Sequence, residues 1–113
     1  MISGPAAFDQ VLAEFEHDLA ASGFALVEAR EHPEAFGSRY AVFSDGHRMV
    51  RLVWDGKEQW FVLEADPEPQ RNPGGKPVWI DLTLQRYDER QADAKWVSEV
   101  AEDVRDAFLD FAM

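Results

Sequence analysis

The residue types that could carry out chemistry lie far apart along this chain. The three histidines (His17, His32 and His47) fall in a predicted helix, a loop and a turn, and none has the spacing of a zinc-binding helix. The stretch 72–77, NPGGKP, contains glycines and a lysine but lacks the phosphate-loop pattern, and its last proline prevents a helix from starting in the required register. The chain has no cysteine and no Gly-x-Ser-x-Gly motif. We therefore predict no catalytic residue, no metal site and no cofactor, and we expect a protein that is not an enzyme.

A second group of residues is suited to binding. The period-two pattern of the central segments places five of them on one face of a predicted sheet: Tyr40, Arg51, Trp60, Trp79 and Asp81. Aromatic residues and arginine are enriched in protein-binding patches, and this face is more apolar than an ordinary solvated face. We interpret the five residues as a partner-binding surface. The alternative is that the face is covered by the proline-rich stretch 66–77, by the segment 31–37 or by a second copy of the chain.

The charge of the chain is strongly acidic and is concentrated at the two ends. There are 22 Asp and Glu residues against 11 Lys and Arg, for a net charge of −11. Residues 1–23 contain four acidic and no basic residues, and residues 87–113 contain eight acidic and three basic residues. Such a surface attracts a basic partner and repels nucleic acid and anionic membranes. Four carboxylates of the last helix are predicted to dock that partner, with a merely solvated helix face as the alternative: Glu99, Glu102, Asp103 and Asp106.

Helices are predicted at both ends of the chain. Pro5 suits a first helical turn, Gly23 suits the end of that helix, and Asp93 suits the N-cap of the last helix. In each segment the large apolar residues recur with helical spacing, and the acidic residues lie mostly off that stripe. The stripes are Phe8, Val11, Leu12, Phe15 and Leu19 in the first helix, and Val97, Val100, Val104, Phe108 and Phe111 in the last.

Five strands are predicted between the helices, because the apolar period there changes to two. The tight-turn pairs Asp45-Gly46 and Asp55-Gly56 join three of them into a meander. The predicted fold is α+β: a single domain over 1–113, formed as a two-layer sandwich of order α-β-β-β-β-β-α, with an antiparallel sheet of about five strands and both helices on one face. The predicted strands cover 24–30, 39–44, 47–54, 58–65 and 78–86.

The turn at Asp55-Gly56 also predicts the register of the sheet. A two-residue turn sets Arg51 opposite Trp60, a cation–π pair worth about 0.5–1 kcal/mol. A four-residue turn would slide the partners but leave every side chain on the same face. The predicted core face carries Ala41, Phe43, Val50, Leu52, Trp54, Phe61, Leu63, Ile80, Leu82 and Leu84, and the opposite face carries Tyr40, Val42, Met49, Arg51, Val53, Trp60, Val62, Trp79, Asp81 and Thr83.

The stretch from Tyr40 to Glu64, YAVFSDGHRMVRLVWDGKEQWFVLE, combines an arginine-containing strand with a Trp-Asp-Gly turn. Together with the acidic balance and the helix–meander–helix order, it resembles the small acidic immunity proteins that bacteria encode beside secreted toxins. It also resembles the acidic α/β chaperones that hold secretion substrates. The resemblance implies a bacterial protein that binds another protein, and it assigns no role to individual residues.

The leading hypothesis from the sequence is a non-enzymatic, acidic protein-binding module, either an immunity protein or a secretion chaperone. The helix carboxylates would speed association with a basic protein, and Tyr40, Arg51, Trp60 and Trp79 would anchor it. One alternative is a small-molecule-binding protein or minor enzyme that uses the aromatic face, and another is a homodimer with a structural role. The sequence shows no secretory signal and no apolar run of membrane-spanning length, so we expect a cytoplasmic protein that binds neither membrane nor nucleic acid.

Overall fold

Two long helices flank five consecutive strands in the chain. The computed structural model describes residues 2–71 and 73–113. Each strand pairs antiparallel with the next, so the five form one sheet in chain order, and the predicted α+β order is confirmed. The helices are α1 (Gly4–Ala21) and α2 (Ala94–Ala112), and the strands are β1 (Ala25–His32), β2 (Ser38–Ser44), β3 (Met49–Asp55), β4 (Trp60–Asp66) and β5 (Ile80–Arg86).

Capping residues fix where the helices begin and where α1 ends. The Ser3 hydroxyl accepts the backbone N–H of Ala6 at 3.2 Å, and the Asp93 carboxylate accepts that of Trp96 at 2.9 Å. Gly23 follows α1 with a φ of 83°, in the left-handed region that glycine adopts without steric cost. Gly23 and Asp93 therefore act as predicted and Pro5 lies in the first turn of α1, whereas the Ser3 cap was not predicted.

The core lies between the helices and one face of the sheet. Phe108 of α2 meets the rings of Phe15 and Phe24 edge-on, each at a centroid distance of 5.2 Å. The strand residues predicted for the core face in β2, β3 and β4 are all at most 3% exposed, which confirms that face for these three strands: Ala41, Phe43, Val50, Leu52, Trp54, Phe61 and Leu63.

The turn between β3 and β4 has four residues instead of two. Asp55 pairs with Trp60, and Arg51 consequently pairs with Glu64. The Asp55 carboxylate accepts two backbone N–H groups of the turn, and Gln59 closes it with a φ of 62°. The predicted Arg51–Trp60 pair was therefore wrong, whereas the predicted face of each side chain in β3 and β4 was right, because a four-residue turn preserves parity.

A β-bulge in β5 reverses the facing of the second half of that strand. Asp81 and Thr83 pair with successive residues of β4, so Leu82 is the extra residue. Thr83 consequently lies on the helix side and Leu84 on the side away from the helices, the reverse of the sequence prediction. Ile80, also predicted for the core, is 51% exposed and does not pack against the core.

Candidate functional site

The sheet face that points away from the helices, called the open face, carries an arginine at its centre. Arg51 of β3 donates from Nε to Oε1 of Glu64 on β4 at 2.8 Å. Its guanidinium also lies over the ring of Trp79 at 4.5 Å and near that of Tyr40 at 5.6 Å. Two predicted site residues, Tyr40 and Trp79, thus flank an ion pair that a third, Arg51, forms with an acid that was not predicted. The open face comprises Glu28, Arg30, Tyr40, Val42, Met49, Arg51, Val53, Trp60, Val62, Glu64, Trp79, Asp81, Leu84 and Arg86.

Trp79 reaches the centre of the open face because the chain before β5 folds back over the sheet. The Asp66 carboxylate, at the end of β4, accepts the backbone N–H groups of Glu68 at 2.9 Å and of Val78 at 2.8 Å. These bonds hold the two ends of the proline-rich segment together. They place the Trp79 ring over Arg51, two strands away from β5. The segment therefore covers part of the open face, which was one of the alternatives drawn from the sequence.

Tyr40 links the centre of the open face to the edge strand β1. Its hydroxyl donates to Oε2 of Glu28 at 2.5 Å, and the same oxygen lies 3.8 Å from Nε of Arg30. The hydrogen bond to Glu28, together with burial and the charge of that carboxylate, raises the pKa of Tyr40 above its ordinary value. The phenol is consequently protonated at neutral pH and serves as a hydrogen-bond donor.

Beside the covered part, the open face forms a groove of about 360 Å³. Three carboxylates line it against a single guanidinium, that of Arg51, which is already bonded to Glu64. The Asp81 side chain has no hydrogen-bond or ion-pair partner within residues 2–71 and 73–113. Aromatic rings and an uncompensated carboxylate together favour a cation. The lining consists of Tyr40, Arg51, Val53, Asp55, Trp60, Val62, Glu64, Asp81 and Leu84.

The two tryptophans of the open face already hold cations that belong to this chain. Arg51 lies over Trp79 at 4.5 Å, and Arg86 lies over Trp60 at 5.2 Å. Arg86 was not predicted for this face, because a regular strand would have turned it toward the helices and only the bulge brings it here. These contacts show the kind of recognition that the same surface can offer to an external guanidinium or ammonium group.

The acidic residues predicted for docking on α2 lie on the opposite side of the molecule. All four are exposed, while the buried stripe of α2 faces the sheet. The protein extends 18 Å along its shortest axis, about two Debye lengths at physiological salt. Their field is therefore strongly screened at the open face. The predicted site residues therefore lie on two separate surfaces. The exposed side of α2 carries Glu99, Glu102, Asp103 and Asp106, and the open face carries Tyr40, Arg51, Trp60, Trp79 and Asp81.

The histidines do not converge on one site. His17 and His47 are exposed, and Nδ1 of His32 lies 3.3 Å from Oε1 of Glu34. In the described ranges, no group of three His, Asp or Glu side chains is placed to hold a metal ion. No helix in those ranges is both long and apolar enough to cross a membrane. Asn72, the first residue of the glycine-containing stretch, lies outside the described residues.

Comparison with known proteins supplies no relative. No protein-family model matches the sequence, and no curated protein and no solved structure matches it. Any inference about function therefore depends on the side chains of the open face and their chemistry.

Proposed function

We propose that this protein is a non-enzymatic protein-binding module whose open face receives a basic side chain from a partner protein. The observation that carries the proposal is the groove, whose lining combines Asp81, which has no partner in the described chain, with the rings of Tyr40 and Trp60. An immunity protein that neutralises a basic toxin would use such a surface, and so would a chaperone that holds a basic secretion substrate. The net charge of −11 supports a basic partner.

A lysine or arginine of the partner would find in the groove the contacts that the open face already makes to its own arginines. Its charged group would donate to the carboxylate of Asp81, and Trp60, four residues along β4 from the Glu64 that lies opposite Asp81, would contact a neighbouring residue of the same partner protein. Its aliphatic stem would pack on the apolar side chains of Val53 and Val62. The guest would thus be desolvated by apolar contact while its charge remains compensated, which is the condition for a favourable buried cation.

Two sets of carboxylates would then have different roles in binding. The exposed acids of α2 contribute to the net charge, which speeds the encounter with a basic protein and is screened by salt. The acids that line the groove would contact the bound side chain and determine how long the complex lasts. Salt should therefore lower the association rate, whereas substitution in the groove should mainly raise the dissociation rate.

Affinity purification followed by binding measurements tests the proposal. Immobilised wild-type protein should retain a basic protein from bacterial extract, which mass spectrometry identifies. Trp60→Ala should weaken binding to the purified partner about thirtyfold, as for an aromatic hot spot. Asp81→Asn should weaken it about tenfold through loss of a charge-assisted hydrogen bond. Glu102→Gln, which removes an exposed acid on the far side, is the matched control and should change the dissociation constant less than about twofold.

Several outcomes would contradict the open-face proposal. Unchanged affinity in both Trp60→Ala and Asp81→Asn would exclude the groove as the contact site. Loss of affinity in Glu102→Gln alone would place the interface on α2.

A groove of about 360 Å³ is also within the size range of small-molecule pockets, which favours a small-molecule-binding protein as the second candidate. Saturable quenching of tryptophan emission by a metabolite, with no protein retained on the resin, would select that candidate.

A further inference from the structure

The strand β1 is an exposed edge of the sheet. It pairs with β2 on one side only, and seven of its eight residues are exposed. Leu26 and Val27 are 53% and 57% exposed, although both are large and apolar. The strand contains neither lysine nor proline, residues with which proteins commonly block such edges. A bulge interrupts its pairing with β2 at Val27, near its beginning, and the residues that follow pair regularly.

We propose that β1 pairs antiparallel with β1 of a second copy of this chain, around a two-fold axis through Ala29. The product would be a continuous sheet of ten strands with both open faces on the same side. In that arrangement directly opposite residues must point to the same side, so the axis passes through a residue and not between two. This inference goes beyond the proposed function and does not depend on the groove.

Charge complementarity selects Ala29 as the position of the axis. An axis at Glu28 or at Arg30 would set like charges directly opposite each other, which destabilises a strand pair. An axis at Ala29 sets Glu28 opposite Arg30 of the second copy, and Arg30 opposite Glu28 of the second copy. Two symmetric ion pairs then flank the axis on the open face, where both side chains already point.

The other edge strand is less suited to such pairing. β5 carries its bulge at Leu82–Thr83, in the middle of the strand, where the ladder is interrupted. Bulges of this kind bend an edge strand and hinder the addition of a further strand. The bulge of β1 is near its beginning, so the Glu28–His32 segment remains regular. The second copy is therefore assigned to β1.

Disulfide cross-linking tests the predicted axis, because the chain has no cysteine of its own. In Ala29→Cys, the two Cα atoms would be about 4.5–5.5 Å apart, inside the range of about 4.4–6.8 Å that disulfides require. Glu31→Cys is the matched control on the same strand, and its two Cα atoms would be at least about 13 Å apart. Mild oxidation should therefore convert Ala29→Cys into a covalent dimer and leave Glu31→Cys monomeric. Equal cross-linking of both variants, or of neither, would overturn the proposal.

A charge swap separates the pairing from any role of these residues within one subunit. Glu28→Arg and Arg30→Glu should each raise the dimer dissociation constant about tenfold, because two-fold symmetry places each substitution in the interface twice. The double variant should restore dimerisation, although it cannot restore the carboxylate that accepts from Tyr40. Recovery would thus report the pairs between subunits. A double variant as weak as the single variants would contradict the predicted register.

A variant of the open face distinguishes strand pairing from sheet-on-sheet packing. Trp60→Ala alters the groove and lies far from the β1 edge, in β4. Light scattering should show the same dimer dissociation constant for this variant as for the wild type. Loss of the dimer in Trp60→Ala would assign the contact to the open face. A wild-type protein that stays monomeric over the whole accessible concentration range would exclude the dimer altogether.

Discussion

The ion pair between Arg51 and Glu64 offers a direct test of how the open face is held together. Substitution of Arg51 by methionine keeps the aliphatic stem and removes the guanidinium. The Glu64 carboxylate, whose side chain is 15% exposed, would then lose its only hydrogen-bond donor among the side chains of the described residues. The Trp79 ring would lose the cation that lies 4.5 Å from its centroid. We expect a loss of stability that an ordinary surface ion pair would not produce.

The magnitude follows from these two contacts. A charge-assisted hydrogen bond contributes about 1.5–3 kcal/mol, and the partial exposure of both side chains places this one at the lower end. A partly exposed cation–π contact adds about 0.5–1 kcal/mol. Arg51→Met should therefore lower the free energy of unfolding by about 2 kcal/mol. For a domain of this size, the melting temperature should fall by about 8 °C.

Substitution of the other member of the ion pair, Glu64, and the double variant provide the controls. Glu64→Leu should cost only about 1 kcal/mol, because the longer Arg51 side chain can turn its charge toward water. In the double variant Arg51→Met/Glu64→Leu no charge is left without a partner, so most of the loss should be recovered. Urea unfolding followed by far-ultraviolet circular dichroism is the appropriate assay, since tryptophan emission would also report local changes at Trp79. An additive double variant, or an Arg51→Met protein within about 0.5 kcal/mol of wild type, would refute the coupling.

Three further predictions concern other parts of the chain. Phe36 is 69% exposed and has a φ of 58°, a left-handed conformation that asparagine tolerates better than phenylalanine. Phe36→Asn should therefore raise the free energy of unfolding by about 0.5–1 kcal/mol in urea unfolding. A lower free energy of unfolding would show that the Phe36 ring makes stabilising contacts. Gly4→Ala should lower the free energy of unfolding by about 1–3 kcal/mol, although alanine has the better helix propensity, because the added Cβ would lie 2.1 Å from the Trp54 ring. A stabilised variant would contradict this packing. The pKa of Tyr40 is raised in the folded state by the hydrogen bond to Glu28, so its contribution to stability is complete below about pH 10 and is lost as pH rises through the raised pKa. Tyr40→Phe should consequently lose less stability than wild type between neutral and strongly alkaline pH, and equal losses would exclude the role of this phenol.

The order and type of the elements were predictable because several local signals agreed. Helical apolar stripes, capping residues and a change to period two indicated two helices and five strands, and the structure has them in that order. The turn after β3 was not predictable in length, since Asp55-Gly56 favours a two-residue turn. The longer turn depends on Gln59, a residue type that gives no signal for its positive φ. The length of this turn determines the register between β3 and β4, and that register determines which residue of β4 lies opposite Arg51.

The composition of the open face was predictable, whereas its internal contacts were not. Parity alone places Tyr40, Arg51 and Trp60 on one face, and that assignment is insensitive to the length of the turn. Contacts of Trp79 depend on a long-range hydrogen bond from Val78 to the Asp66 carboxylate, which no local pattern indicates. The position of Arg86 depends on a bulge, and bulges follow from packing of the whole sheet more than from local sequence.

The two proposals have a joint consequence for how the protein would meet a multivalent partner. In a ten-stranded sheet formed through β1, the two β4 strands would be seven strand spacings apart, which is roughly 34 Å before the twist of the sheet is considered. Both grooves would open on the same side, so one partner with two basic segments could occupy both. The second contact would then be intramolecular and would increase the apparent affinity without any new contact in either groove. A dimer of this kind would make a modest cation site in each subunit sufficient for tight binding, and one uncompensated carboxylate in each groove would then be enough.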